Sequence, residues 1–216
     1  MPSKKTLADC RLYSFVDTAY LQDRSPVTLA QQLCDGGSDI VQLRAKNLSS
    51  EEIKPLAFAL AEVTETAGVH LVINDHPEVA VELPSPFVHL GQEDFFDQGH
   101  TCVHDLVTTE SRLLLGLSTH APDQCHRAIK AGADYVAIGP VYATGTKPTA
   151  KPVTLDYVRW AAENVTLPWF AIGGINTGTL SDVLAAGAER VCIVSDILNH
   201  PHPDRACQAI RDQLPS

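Results

Sequence analysis

The sequence predicts a single (β/α)8 TIM barrel. Three observations carry this: eight short β-rich runs alternate with longer helical patterns, most of the runs are apolar almost without a break, and polar residues gather directly after each one. Such alternation builds parallel strands joined by crossover helices. Unbroken apolar runs suit strands that are covered on both faces. A doubly wound open sheet is the alternative, but no GxGxxG follows the first run and no compositional break sets off a second domain.

The elements follow in order. After a short extension, 1–10, the predicted strands are RLYSFVD (11–17), DIVQLRA (39–45), HLVIND (70–75) and FVHLGQ (87–92). LLLGLST (113–119), YVAIGPV (135–141), WFAIGG (169–174) and RVCIVSD (190–196) complete the set. Between them, SEEIKPLAFALAEVTETAG (50–68) and TGTLSDVLAAGAE (177–189) repeat apolar residues at spacings of three and four, with Gly68 and Gly187 placed to stop a helix. CDGGSDI, KAGADYV and AAGAERV share one shape, a helix end, a glycine and the start of the next strand.

Composition narrows the function. A hydrophobic content of 44% over 216 residues supports a sizeable core in one unit. The net charge of −10 argues against a general nucleic-acid binder, so any phosphate affinity is local. The start MPSKKTLADC lacks the apolar region of a signal peptide, and no run approaches the roughly 20 residues of a membrane span. Six cysteines are scattered without CxxC spacing, which predicts free thiols, some buried, and a cytoplasmic protein without membrane partners.

The strand ends carry the chemistry. Asp17, then Arg44 and Lys46, Asn74 and Asp75, Gln92 and Asp94, Ser118 and His120, Thr144, Thr146 and Lys147, Gly173 and Gly174, and Ser195 follow successive strands. A barrel brings these ends to one face, where its active sites sit, so an enzyme is expected. Residues 139–152, GPVYATGTKPTAKP, form a long connector rich in hydroxyls, glycine and lysine, suited to hold an anion. IGGIN (172–176) and IVSD (193–196) stand where these barrels commonly bind phosphate, although a glycine pair also makes a plain tight turn. Asp75 and Asp94 follow neighbouring strands, and two close carboxylates call for a cation such as Mg²⁺ between them. Taken singly, Asp75 before His76-Pro77 also reads as a helix cap. In QLRAK, Gln42, Arg44 and Lys46 share one face of strand two, either for a ligand or as a salt-bridge layer. HTCVH (100–104) fits no standard zinc spacing and is expected to begin a helix.

QLRAK, VINDH, HLGQED, GLSTH, GPVYATGTK, AIGGI and IVS occur in this order and resemble the signature segments of thiamine-phosphate synthase (thiamine-phosphate pyrophosphorylase), over about residues 11–213. The resemblance implies transfer of a hydroxymethylpyrimidine from its diphosphate to the ring nitrogen of a hydroxyethylthiazole phosphate. It also implies that Gln42, Leu43, Arg44, Ala45, Lys46 and Asn74 hold the pyrimidine diphosphate, with Ser118 and Lys147, and that Asp75 and Asp94 hold Mg²⁺. Thr144, Gly145, Thr146, Gly174, Val194 and Ser195 would hold the thiazole phosphate. Arg44, Ser118 and Lys147 are the expected catalytic residues, and Mg²⁺, Arg44, Lys46 and Lys147 would together neutralise the departing pyrophosphate.

Three departures stand out: Tyr142-Ala143-Thr144 lacks the family's proline, His76 follows Asp75, and Asp196 sets a carboxylate beside the phosphate site unless it turns outward. A thiazole tautomerase, a related barrel, would not need Arg44, Lys46, Asn74, Asp75, Asp94 and Lys147 together. A non-catalytic thiamine-phosphate-binding barrel stays open, as does a homo-oligomer.

Overall fold

The computed structural model describes residues 2–106, 112–145 and 151–215. Eight parallel strands close into a barrel, each hydrogen-bonded to the next and β8 to β1. They are β1 (Leu12–Asp17), β2 (Ile40–Arg44), β3 (His70–Asn74), β4 (Phe87–Gly91), β5 (Leu114–Thr119), β6 (Tyr135–Ile138), β7 (Trp169–Ile172) and β8 (Val191–Cys192). The helices that follow them are α1 (Pro26–Asp35), α2 (Ser50–Ala67), α3 (Pro77–Ala80), α4 (Gln92–Asp97) and α5 (Pro122–Lys130). Then come α6 (Thr154–Asn164), α7 (Leu180–Ala185), α8 (Ser195–Leu198) and α9 (Pro203–Arg211).

All eight runs read from the sequence become strands, and several end early for local reasons. β6 stops at Ile138 because Pro140 has no N–H for the ladder. β7 stops at Ile172 because Gly173 and Gly174 turn the chain with φ of 99° and 66°. β8 keeps only Val191–Cys192, since Ser195 already opens α8.

The helices obey their stop and start signals. α2 begins on a capping box, with the Ser49 side chain accepting from Glu52 N–H and the Glu52 carboxylate from Ser49 N–H, and Gly68 closes it with φ of 71°. α7 is shorter than the pattern at 177–189, because Asn176 ties Gly178 and Thr179 into a turn first. The 100–104 segment leads into a 3-10 turn at Val103–Asp105, where the Asp105 carboxylate accepts from the N–H groups of Thr101 and Cys102. Among the described residues, no group of three or more His, Cys, Asp and Glu could hold a metal ion there or elsewhere.

Aromatic rings fill the middle of the barrel. Tyr13, Phe87, Tyr135 and Phe170, from β1, β4, β6 and β7, are all buried. The Tyr135 ring lies 5.9, 5.5 and 5.6 Å from those of Tyr13, Phe87 and Phe170. Below them, at the strand starts, the buried Asp39 carboxylate binds Lys5 at 2.6 Å, Arg211 at 2.7 Å and the N–H of Arg11 at 2.7 Å. One side chain thus joins the N-terminal segment, β1, β2 and the last helix. Replacing Asp39 with Ala strands those donors, and we expect a loss of about 3 kcal/mol in urea unfolding, with substrate constants unchanged because the carboxylate is at the far end from the strand C-termini.

Candidate active site

A cavity of about 240 Å³ opens at the C-terminal ends of the strands, above the aromatic layer. Gln42, Arg44 and Lys46 line it, in step with the two-residue period of β2. Gln42 is buried, Arg44 half-buried and Lys46 exposed, as the row climbs out of the barrel. Leu43 and Ala45 belong to the opposite set; both are buried and neither lines the cavity. The pleat that turns Arg44 inward turns these two side chains away, so only their backbone faces that side.

The cations are already held. Arg44 Nη1 lies 2.6 Å from Oδ2 of Asp17, whose other oxygen accepts from Ala19 N–H at 3.0 Å. Asp17 is buried, so Arg44 is presented on a fixed base. Lys46 pairs with Asp75, and its side chain is half exposed. Asp75 does not cap the next helix; His76 takes the cap position of α3 without a side-chain bond. Asp75 instead has φ of 64°, a conformation that side-chain-bearing residues adopt at a cost of order 1–3 kcal/mol and that gathers at functional sites. His76 is occupied elsewhere, with Nδ1 3.1 Å from Ser50 Oγ and 3.0 Å from Glu78.

Asp94 lines the same cavity from the first turn of α4 and folds back over Gly91, where an added Cβ would lie 2.7 Å from its Oδ2. Two carboxylates on one wall, with Gly91 leaving room between the elements, are a donor set that suits Mg²⁺, which takes one or two protein carboxylates and fills its other positions from phosphate and water. The Lys46 ammonium, on a flexible stem, pairs with one of them, Asp75. Asn74, at the end of β3, completes this side.

Ser118 lies near the end of β5 with its Oγ 2.8 Å from His89 Nε2, and His89 Nδ1 meets the Tyr135 hydroxyl at 2.7 Å. Burial pushes the His89 pKa down to about 4, opposed by Asp75 and aided by Lys46, so the ring is neutral near pH 7. His120 also lines the cavity, with Nδ1 bonded to the Gly139 carbonyl and Nε2 3.7 Å from Glu93. Cys192 is the one cysteine among the described lining residues; burial raises its thiol well above the ordinary range, so it is no nucleophile. All six cysteines are free, with Cys10, Cys125, Cys192 and Cys207 buried.

Gly174, Thr144, Val194 and Ser195 line the opposite side. The glycine pair is required by packing as well as by φ: a Cβ at Gly173 would lie 2.3 Å from Pro140, and one at Gly174 2.6 Å from the Ala143 carbonyl. Gly145 stands outside the lining, and Thr146 and Lys147 fall outside the described residues. Asp196 does not enter the cavity; its Oδ2 accepts from Thr177 N–H at 3.0 Å, which turns the carboxylate outward.

Sequence reasoning missed Tyr13, His89 and Tyr135, which sit inside runs read as apolar. The signals were present: a histidine amid FVHLG, and a lone glycine in LLLGLST. Gly116 is directly opposite Tyr135 in the β5–β6 register.

Fold and site together define a barrel enzyme whose strand ends hold cations and carboxylates in one cavity. The family model described as thiamine monophosphate synthase matches residues 12–197. A thiamine-phosphate synthase of Thermus thermophilus is 42% identical over 184 residues, 83% of this chain and 84% of its own. One from Lawsonia intracellularis is 36% identical over 208 residues, covering 95% and 93%. The solved thiamine phosphate pyrophosphorylase of Pyrococcus furiosus shares the fold with a TM-score of 0.84 at 24% identity, covering 96% of each chain. The chain belongs to the thiamine monophosphate synthase family and is a transferase of that family.

A Cβ at Gly116 would come within 2.2 Å of the Tyr135 ring. Gly116→Ala is therefore expected to lower stability by about 1–3 kcal/mol through overpacking and to change the near-UV circular dichroism of the buried tyrosines, both measurable on one purified sample.

Proposed function

We propose that this chain transfers a hydroxymethylpyrimidine from its diphosphate to the ring nitrogen of hydroxyethylthiazole phosphate, yielding thiamine phosphate and pyrophosphate. The observation that carries the reading is a division within one cavity: Arg44, Lys46, Asp75 and Asp94 on the side of β2 to α4, and Thr144, Gly174 and Ser195 across from them. Two anion-handling sides suit one substrate that leaves a diphosphate and another that carries a phosphate.

The bond between the pyrimidine methylene carbon and the diphosphate oxygen breaks, with its electron pair leaving on pyrophosphate. The thiazole nitrogen lone pair then forms the new C–N bond. An aminopyrimidine donates electrons to the carbon during this exchange, which favours a dissociative path and needs no protein nucleophile. Arg44, oriented by Asp17, faces the departing oxygens with its planar fork, and Ser118 adds a hydroxyl. Lys46 exchanges its partner Asp75 for the diphosphate. By the family resemblance Lys147 adds a further cation there, and Thr146 joins Thr144 and Gly145 at the thiazole phosphate. Gln42, Asn74 and the backbone of Leu43 and Ala45 position the pyrimidine side. Asp75 and Asp94 would hold Mg²⁺, which when bound supplies charge neutralisation to the leaving group. The aromatic floor keeps water from the electron-poor carbon on the barrel side.

Turnover of both substrates, followed by release of pyrophosphate, tests the reading. Activity is expected to vanish in EDTA and return with Mg²⁺, and Asp75→Ala to lower turnover by about 10²-fold or more. Full activity of Asp75→Ala in EDTA would sink the metal assignment, and isomerisation of the thiazole alone would point to a tautomerase.

The two sides are also expected to separate kinetically. Ser195→Ala raises the KM for the thiazole phosphate by about tenfold, while Arg44→Ala impairs use of the diphosphate and leaves thiazole binding near its original value. Initial rates with each substrate varied against saturating levels of the other measure this, and a shared effect on one substrate alone contradicts the division.

A further inference from the structure

One polar chain crosses the barrel interior. Gln42, Tyr13, Tyr135, His89 and Ser118 are joined in that order by hydrogen bonds of 2.5, 3.0, 2.7 and 2.8 Å. The first four are buried, with exposures of 2%, 1%, 0% and 8%, and Ser118 meets the cavity. Counting protons gives this chain a direction. Gln42 Nε2 donates to the Tyr13 oxygen. The Tyr13 proton then has the Tyr135 oxygen as its acceptor, and the Tyr135 proton has His89 Nδ1. That nitrogen carries no hydrogen, so the ring N–H is on Nε2 and donates to Ser118 Oγ. The serine's own proton is left for the cavity. Reversed polarity would need the Gln42 carbonyl at Tyr13, would use the Ser118 proton on His89, and would show an incoming anion only lone pairs.

We propose that His89 is a positioning residue which, as its Nε2–H tautomer, holds Ser118 as a hydrogen-bond donor to an anionic oxygen in the cavity, with Gln42 setting that polarity from the far end of the chain. The inference rests on the reading that this cavity takes a diphosphate. It explains an otherwise odd arrangement, a histidine and two tyrosines in a barrel floor that apolar side chains could fill. A donor fixed before the anion arrives needs no reorientation, which is how preorganised dipoles favour developing negative charge.

Long-range ¹H–¹⁵N correlation NMR on the full chain reads the tautomer directly, with the His89 signals identified as those missing from His89→Gln. A bare Nδ1 and a protonated Nε2 are expected; a proton on Nδ1 overturns the proposal. Calorimetric binding of inorganic pyrophosphate in Mg²⁺ supplies a second readout. Ser118→Ala and His89→Leu are each expected to weaken binding by about tenfold, and the double variant to bind no worse than either single one. His89→Gln, which keeps one acceptor and one donor at the same reach, recovers most of the affinity. Additive losses, or His89→Leu binding like the unaltered chain, overturn it. Should His89→Leu fail to fold, the tautomer and the comparison of His89→Gln with Ser118→Ala still decide. Absent turnover alongside the Nε2–H tautomer and non-additive pyrophosphate binding would defeat the proposed reaction and leave this inference standing.

Discussion

The Tyr135 ring is the constraint on which the barrel interior depends. An eight-stranded barrel is just wide enough for its side chains to fill, and here three aromatic rings pack around that of Tyr135 to do so. The ring fits because β5 offers Gly116 directly opposite it. A hydroxyl brought to this depth costs free energy unless it is bonded, and Tyr13 and His89 bond it on either side. Packing and polarity are therefore met by one residue. With the floor closed in this way, the empty volume of the barrel lies at the strand ends, and the cavity forms there.

Charge is arranged locally against the overall balance. The chain carries −10, yet its cavity presents Arg44 and Lys46, each against a carboxylate. The two pairs differ in what they allow. Asp17 is buried and anchored through Ala19, so the Arg44 fork keeps its direction whether or not an anion is present. Lys46 and Asp75 meet at the half-exposed rim, where such pairs contribute about 0–1 kcal/mol. That pair can open for a more strongly charged partner at little cost. One fixed and one exchangeable cation suit the proposed diphosphate, which must be gripped on arrival and released after bond cleavage.

The architecture was legible because both of its signals are periodic: apolar runs became strands, and the three-and-four spacing at 50–68 became α2. Rim residues such as Arg44, Asn74, Asp75, Asp94 and Ser118 were legible because strand ends in a barrel share one face. Interior polarity was not. Tyr13 and Tyr135 count as apolar in a run, and their hydroxyls meet across 122 positions of chain. No local pattern encodes such a meeting; only the strand order and register bring β1 beside β2 and carry β4 and β6 inward to the same point.

The same limit explains the departure at the side expected to take a phosphate. Asp196 beside Ser195 reads as a carboxylate set against an anion, and by residue type alone it weakens the site. In the fold, the turn after β7 brings Thr177 N–H within 3.0 Å of Asp196, which fixes the carboxylate on the outside of that turn. The glycine pair acts in the same region for a related reason. Gly173 and Gly174 let Pro140 and Ala143 approach closer than any side chain would permit, so the ends of β6 and β7 lie against each other. A charge that looks misplaced in the sequence is thus directed by backbone geometry, and the tight β6–β7 junction leaves Thr144, Gly174 and Ser195 on one wall of the cavity.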